Sequence, residues 1–178
     1  MGRKAVISRE NLIDIAEEIL RKDGAAALTI GALAKAAGIS KGGVQYSFAS
    51  KDELVRALVE RWADAFDRAI GAAAEDDPLC FVRRYITASR QSDSLIDAKM
   101  AGLMMGYMRD PENLRVTREW YHGIFKRLSG DSAQARAARV AFLAVEGLFL
   151  MRINGLDTNT SWDSFLTDIE AVLHLTEK

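Results

Sequence analysis

The residues best suited to chemistry lie in one run, "GISKGGVQYSFASKDEL", from Gly38 to Leu54. Adjacent Gly42 and Gly43 stand among helix signals, although a glycine costs a helix interior roughly 1 kcal/mol against alanine. Close approach of the backbone to a partner would account for them. Around them stand Lys41, Gln45, Tyr46, Ser47 and Lys51, whose donors suit phosphate oxygens and base edges. A tyrosine can donate its hydroxyl to a phosphate or lay its ring on a thymine methyl, and a lysine can offer protons to guanine O6 and N7.

Other chemistries find little support. Cys80 is the only cysteine, so no intrachain disulfide is expected. His122 and His174 are read as ordinary surface or core histidines and not as ligands, and neither H-E-x-x-H nor G-x-x-x-x-G-K-[ST] occurs. We therefore expect no metal, no cofactor and no catalytic activity. The 178 residues are 49% hydrophobic and 28% charged with a net charge of -1, a composition that suits a soluble globular chain. Residues 1–51 nevertheless hold eight basic against five acidic side chains, a local balance of +3, which leaves -4 for the rest. No secretory leader and no apolar run of the ~20 residues needed to span a membrane is read, so a cytoplasmic protein is expected.

The elements that must position these residues read as helices nearly throughout, about nine in all. Leu12, Ile15, Ala16, Ile19 and Leu20 form an apolar stripe behind Ser8 as N-cap, giving a first helix from about Arg9 to Lys22. Thr29 caps "IGALAKAA", Gly38 stops it, and Ser40 caps a third helix at once. At 100° per residue Val44 and Phe48 face inward with Ile39, while Gly42, Gly43 and Tyr46 face outward and Gln45 and Ser47 flank them. Two helices across a tight turn have the dimensions of a helix-turn-helix, whose second helix enters the DNA major groove. Ser50 and Glu53 make a capping box for a long fourth helix reaching about Ala73, and its start, with Lys51 and Thr29, suits phosphates beside the groove.

Asp77-Pro78 and Asp110-Pro111 each open a later helix. Between them "SLIDAKMAGLMMGYM" reads as another. "AQARAARVAFLAVEGLFLMRI" is apolar on most sides in its second half, and "WDSFLTDIEAVLHL" follows Thr160 or Ser161. The expected domains are residues 1–50, a connecting helix over 51–74, and 75–178.

The run "LTIGALAKAAGISKGGVQYSFASKDEL" resembles the DNA-binding domain of the TetR family of bacterial transcription regulators, with a dense match over Leu28 to Leu54. The resemblance implies an all-α fold and places Thr29 and Lys51 on phosphates, Lys41 and Gly42 at base edges, and Gln45 and Tyr46 on backbone or bases; Ser40, the cap of the reading helix, is expected to join them at the DNA. The chain departs from the pattern at Gln45, where many members have an aromatic, at Ser47, where many have histidine, and at Gly43, which often has a side chain. The resemblance in the second half is looser and rests on helix number, length and "AVEGLFLMRINGLD".

Two further sites follow. Phe81, Tyr85, Met100, Met104, Tyr107, Trp120 and Tyr121 are read as the wall of a pocket for an apolar or aromatic effector, with ordinary core packing as the alternative for the methionines. Arg83 and Arg84 are read as solvated. Small residues among large ones near the C-terminus, with Ala144, Gly147, Leu148, Met151 and Phe165 as candidates, are read as a subunit contact. The expected function is a homodimeric regulator, a repressor, that binds a palindromic operator in double-stranded DNA and is released by a small-molecule effector. The competing reading is an all-helical carrier or enzyme with a helix-turn-helix that binds no DNA.

Overall fold

The computed structural model describes residues 7–71, 77–91, 102–104, 106–154, 156 and 162–175, and every regular element among them is a helix. Helix α1 spans Arg9–Asp23. Its first turn is capped by Ser8 Oγ, which accepts from the Asn11 amide at 3.1 Å, and it ends at Gly24 with φ +80°. Helices α2 (Ile30–Ala36) and α3 (Lys41–Ser47) are capped in the same way by Thr29 and Ser40, whose hydroxyl oxygens accept from Ala32 and Gly43 amides at 3.0 and 3.1 Å. Gly38 makes the turn between them at φ +65°, a conformation that carries a steric cost for any residue with a Cβ. Val44 and Phe48 are fully buried, so α3 is anchored by one face. Each such side chain contributes about 1.5–3 kcal/mol through burial.

Helix α4 (Lys51–Ile70) has 20 residues and is therefore about 30 Å long. Glu53 N–H donates to Ser50 Oγ at 3.1 Å, and the Glu53 carboxylate accepts from the Ala49 amide at 2.8 Å, one residue before the cap itself. The helix stops at Ile70, before the expected Ala73, because Gly71 turns the chain at φ +75° while its N–H still reaches Asp67 O at 3.0 Å.

Helices α5 (Pro78–Gln91), α6 (Pro111–Arg127), α7 (Ala133–Ile153) and α8 (Trp162–Leu175) form the second half. Asp110 caps α6 through its carboxylate, as its place before a proline suggests. Most of the expected helix over "SLIDAKMAGLMMGYM" and the caps at Thr160 or Ser161 lie outside the described residues; residues 102–104 and 106–107 are helical.

Two apolar clusters organise the chain. The first joins α1, α2 and α3 to the opening half of α4 through Leu54, Val55, Leu58 and Val59, and takes in Leu103. The second gathers Ile70 with α5, α6, α7 and α8 around Phe81, Ile86, Phe142 and Leu166. Helix α4 thus contributes to both. Polar contacts hold it in its middle and at its C-terminal end. Arg61 lies 2.6 Å from Asp14 and 3.4 Å from Glu17 on α1. At the C-terminal end Arg84 Nε donates to Ile70 O at 2.8 Å, and Arg127 nitrogens donate to Gly71 O at 3.3 and 3.4 Å. Arg84 is thus not a merely solvated side chain: it and Arg127 satisfy carbonyls at the C-terminal end of α4, where cations also complement the helix dipole.

Candidate DNA-reading face and ligand cavity

The outer face of α3 is open to solvent. Tyr46 is 94% exposed, and Ser40, Lys41, Gly42, Gly43 and Gln45 are exposed with it, while Ser47 is half-buried. Thr29 and Lys51 are exposed at the starts of α2 and α4. The two glycines differ. A Cβ on Gly42 would meet only Ser40 Oγ at 3.8 Å, whereas one on Gly43 would lie 3.3 Å from Ile39 Cδ1. Gly42 therefore leaves the backbone accessible from outside, and Gly43 lets α3 sit tightly against the residue before its own cap. Lys41 folds back across α2: a Cβ on Gly31 would stand 3.2 Å from Lys41 Cε. That places the lysine chain beside Thr29 and gives Gly31 a spatial reason to be glycine.

In the second half a cavity of about 370 Å³ opens among α4, α5, α6 and α7, within the size range of small-molecule sites. Tyr85, Met104, Tyr107, Trp120 and Tyr121 line it together. Phe81 does not: it is buried with the Arg127 guanidinium 3.9 Å from its ring centroid. Met100 lies outside the described residues. Sequence reading misses the wall that α4 supplies, in particular Trp62, Phe66 and Asp67, and also Glu146 and Phe149 of α7. Trp62 and Phe66, four residues apart, are legible as one helical face, but nothing local distinguishes that face from core. Their rings stack at 6.0 Å, Phe66 meets Tyr85 edge-on at 5.2 Å, and Trp62 stacks on Phe149 at 6.4 Å, so the cavity wall is a continuous aromatic surface.

Glu146 is the polar centre of this surface. One carboxylate oxygen accepts from Tyr85 Oη and the other from Tyr121 Oη. Burial, reinforced by the neighbouring Glu146 charge, pushes both phenols above their ordinary range, so they remain donors to the carboxylate. Trp120 Nε1 donates to Asp67 Oδ1 at 2.7 Å and joins the cavity wall on α6 to α4.

A third surface lies on α7 and α8. Helix α7 buries Ala135, Ala138, Ala141, Phe142 and Val145 on one side. On the other it exposes Val140 (65%), Leu143 (60%), Leu150 and Met151, with Phe165 and Val172 of α8 also exposed. Ala144, Gly147 and Leu148 are half-buried. The exposed stripe includes Met151 and Phe165 of the residues singled out in the sequence and adds Val140, Leu143, Leu150 and Val172.

Among the described residues no group of three or more His, Cys, Asp or Glu side chains is placed to hold a metal, and no helix is long and apolar enough to cross a membrane.

Comparison with known proteins agrees with this geometry. Residues 12–58 match the N-terminal model of bacterial regulatory proteins of the tetR family, and residues 79–174, more than half of the chain, match the model of the tetracyclin repressor-like C-terminal domain. The chain is 30% identical over 152 residues to an HTH-type transcriptional regulator in the dhlA 5' region of Xanthobacter autotrophicus, covering 80% of this chain and 70% of that one. It is 33% identical over 82 residues to the HTH-type transcriptional regulator TtgR of Pseudomonas putida, 44% of this chain and 39% of that one. Its fold matches the crystal structure of a TetR-family transcriptional regulator from a Rhodococcus species with a TM-score of 0.65 at 16% identity, over 96% of this chain and 98% of that one. The chain belongs to the TetR family of transcriptional regulators, DNA-binding proteins with an N-terminal helix-turn-helix and a C-terminal ligand-binding domain.

Proposed function

We propose that the protein is a homodimeric repressor of the cytoplasm that binds a palindromic operator and is released when a small aromatic effector occupies the cavity. It works by binding alone, without a catalytic step. One observation supports this reading: α4 begins at the Ser50 cap, three residues after the end of α3, and also supplies Trp62, Phe66 and Asp67 to the cavity wall. A ligand pressing on that wall acts on the element that carries the reading head.

In this reading Tyr46 and Gln45 contact bases or backbone. Gly42 lets the helix come close, and Lys41 reaches a base edge or the flanking phosphate from its place over Gly31. Thr29, Ser40, Ser47 and Lys51 hold the sugar-phosphate on either side. Gly43 serves by packing against Ile39. The effector touches Tyr85, Met104, Tyr107, Trp120 and Tyr121. Two protomers meet through α7 and α8, with Ala144, Gly147, Leu148, Met151 and Phe165 joined by Val140 and Leu143. The dimer sets two α3 helices at a spacing of roughly one turn of DNA, about 34–36 Å, or more.

Selection from a random duplex pool tests the reading whatever the sequence of the operator. The expected outcome is enrichment of an inverted repeat by the parent and none by Tyr46→Ala. Failure of the parent to enrich any sequence, or enrichment of a single half-site, contradicts it.

A further inference from the structure

We infer that the ligand taken by this cavity is a delocalised organic cation, an aromatic or aryl-substituted monocation, with Glu146 as its counter-ion. The inference rests on the reading of the cavity as the effector site and adds the charge of the occupant.

Three observations converge. First, the described residues lining the cavity include Glu60, Asp64, Asp67 and Glu146, and among the described residues no lysine, arginine or histidine lines it. Glu60, Asp64 and Asp67 lie on one exposed side of α4, at the solvent side of the cavity, and Glu146 is half-buried within it. Second, Glu146 is held by hydroxyls alone. Tyr85 and Tyr121 satisfy one acceptor site on each oxygen, and no basic side chain forms a salt bridge with Glu146 among the described residues. Two neutral donors stabilise a carboxylate without cancelling its charge. Arg152, the basic residue on this part of α7, packs over the Trp162 ring at 4.4 Å and is not part of the lining. Third, the rest of the wall is aromatic, with Trp62, Phe66, Trp120 and Phe149 among its surfaces.

The energetics distinguish the classes of occupant. A carboxylate within a low-dielectric wall attracts a cation far more strongly than it would in water. Aromatic rings add a further cation–π attraction, worth more once the cation is desolvated. A neutral aromatic gains the apolar contact but leaves Glu146 uncompensated, and an anion is opposed by four carboxylates. A delocalised cation suits this wall better than a compact ammonium does. It gives up less hydration on entry, and the cavity offers ring faces with few acceptors for localised N–H donors.

The test uses three probes of similar bulk: tetraphenylphosphonium, neutral triphenylphosphine oxide and anionic tetraphenylborate. Each is titrated into the full-length protein by quenching of tryptophan fluorescence and checked by equilibrium dialysis. The phosphonium should bind at least about tenfold more tightly than the neutral probe, and the borate more weakly than both. In Glu146→Gln the phosphonium should weaken by about tenfold or more while the neutral probe stays within about twofold. Asp64→Asn, an exposed position where folding is not at stake, should weaken the phosphonium by a smaller factor and leave the neutral probe unchanged. Neutral or anionic probe binding as tightly as the phosphonium, or an unaltered phosphonium affinity in both variants, overturns the assignment of charge while leaving the effector site intact. Absence of binding by all three probes overturns the cavity reading together with it.

Discussion

Trp120 Nε1 donates to Asp67 Oδ1 at 2.7 Å, so a cavity residue of α6 is hydrogen-bonded to the helix that runs to the DNA-binding domain. Phe66, the residue before Asp67, has its ring 6.4 Å from that of Trp120. Any ligand that turns Trp120 disturbs both contacts. Trp120→Phe keeps an aromatic ring and removes the donor. We expect it to bind tetraphenylphosphonium still and to lose about 0.5–2 kcal/mol of the coupling between probe and operator, measured as the ratio of DNA affinities with and without probe.

Tyr46 is almost fully exposed, so a shorter side chain there releases no packing. Tyr46→Ala should leave the thermal midpoint unchanged and weaken specific binding by about 1–3 kcal/mol. Lys51→Ala should lower affinity for all duplexes alike and reduce the salt slope by about one. Fluorescence anisotropy at several salt concentrations distinguishes the two.

Leu143 exposes 60% of its surface on the outer side of α7. Leu143→Glu should shift the protein from dimer to monomer in analytical ultracentrifugation at micromolar concentration. The folded monomer should keep its helix content, because the inner side of α7 carries the core. Loss of the second reading head should cost most of the specific DNA affinity.

Alkaline stability follows from the tyrosine pair. Tyr85 is 3% exposed, and its phenol is raised far above its ordinary value, first by burial and then by Glu146. In the unfolded chain it ionises near its usual pKa of ~10, while in the folded chain it remains protonated. Its contribution is therefore complete below a pH of ~10 and is lost as pH rises above it, at about 1.4 kcal/mol per pH unit. Urea unfolding between pH ~9 and ~11 should show a steeper loss in the parent than in Tyr85→Phe.

Local signals are legible in the sequence, and distant ones are not. The caps at Ser8, Thr29, Ser40, Ser50 and Asp110 act over two or three residues and stand in the sequence as plainly as in the structure. So does the buried face of α3, since Val44 and Phe48 follow helical spacing. Helix α4 ends at Ile70, short of the expected end near Ala73, where Gly71 takes a positive φ. Glu146 escapes a sequence reading for a different reason. Its tyrosine partners are 61 and 25 residues away, and within "AVEGLFL" it looks like one polar residue on an apolar helix. Tyr85 and Phe81, one turn apart on α5, look equivalent in the sequence. Packing separates them: Tyr85 reaches the cavity with its hydroxyl, whereas Arg127 covers the ring of Phe81.

Occupancy of the cavity should govern DNA binding through α4. The most direct measurement is the affinity of the parent for its selected duplex, by fluorescence anisotropy, without probe and with tetraphenylphosphonium at saturation, together with the affinity for the probe with and without duplex. Linkage requires the two ratios to be equal. DNA binding should weaken with the cavity filled, by about fivefold or more, with the same factor in the reciprocal titration. A saturated cavity with unchanged DNA affinity would contradict it.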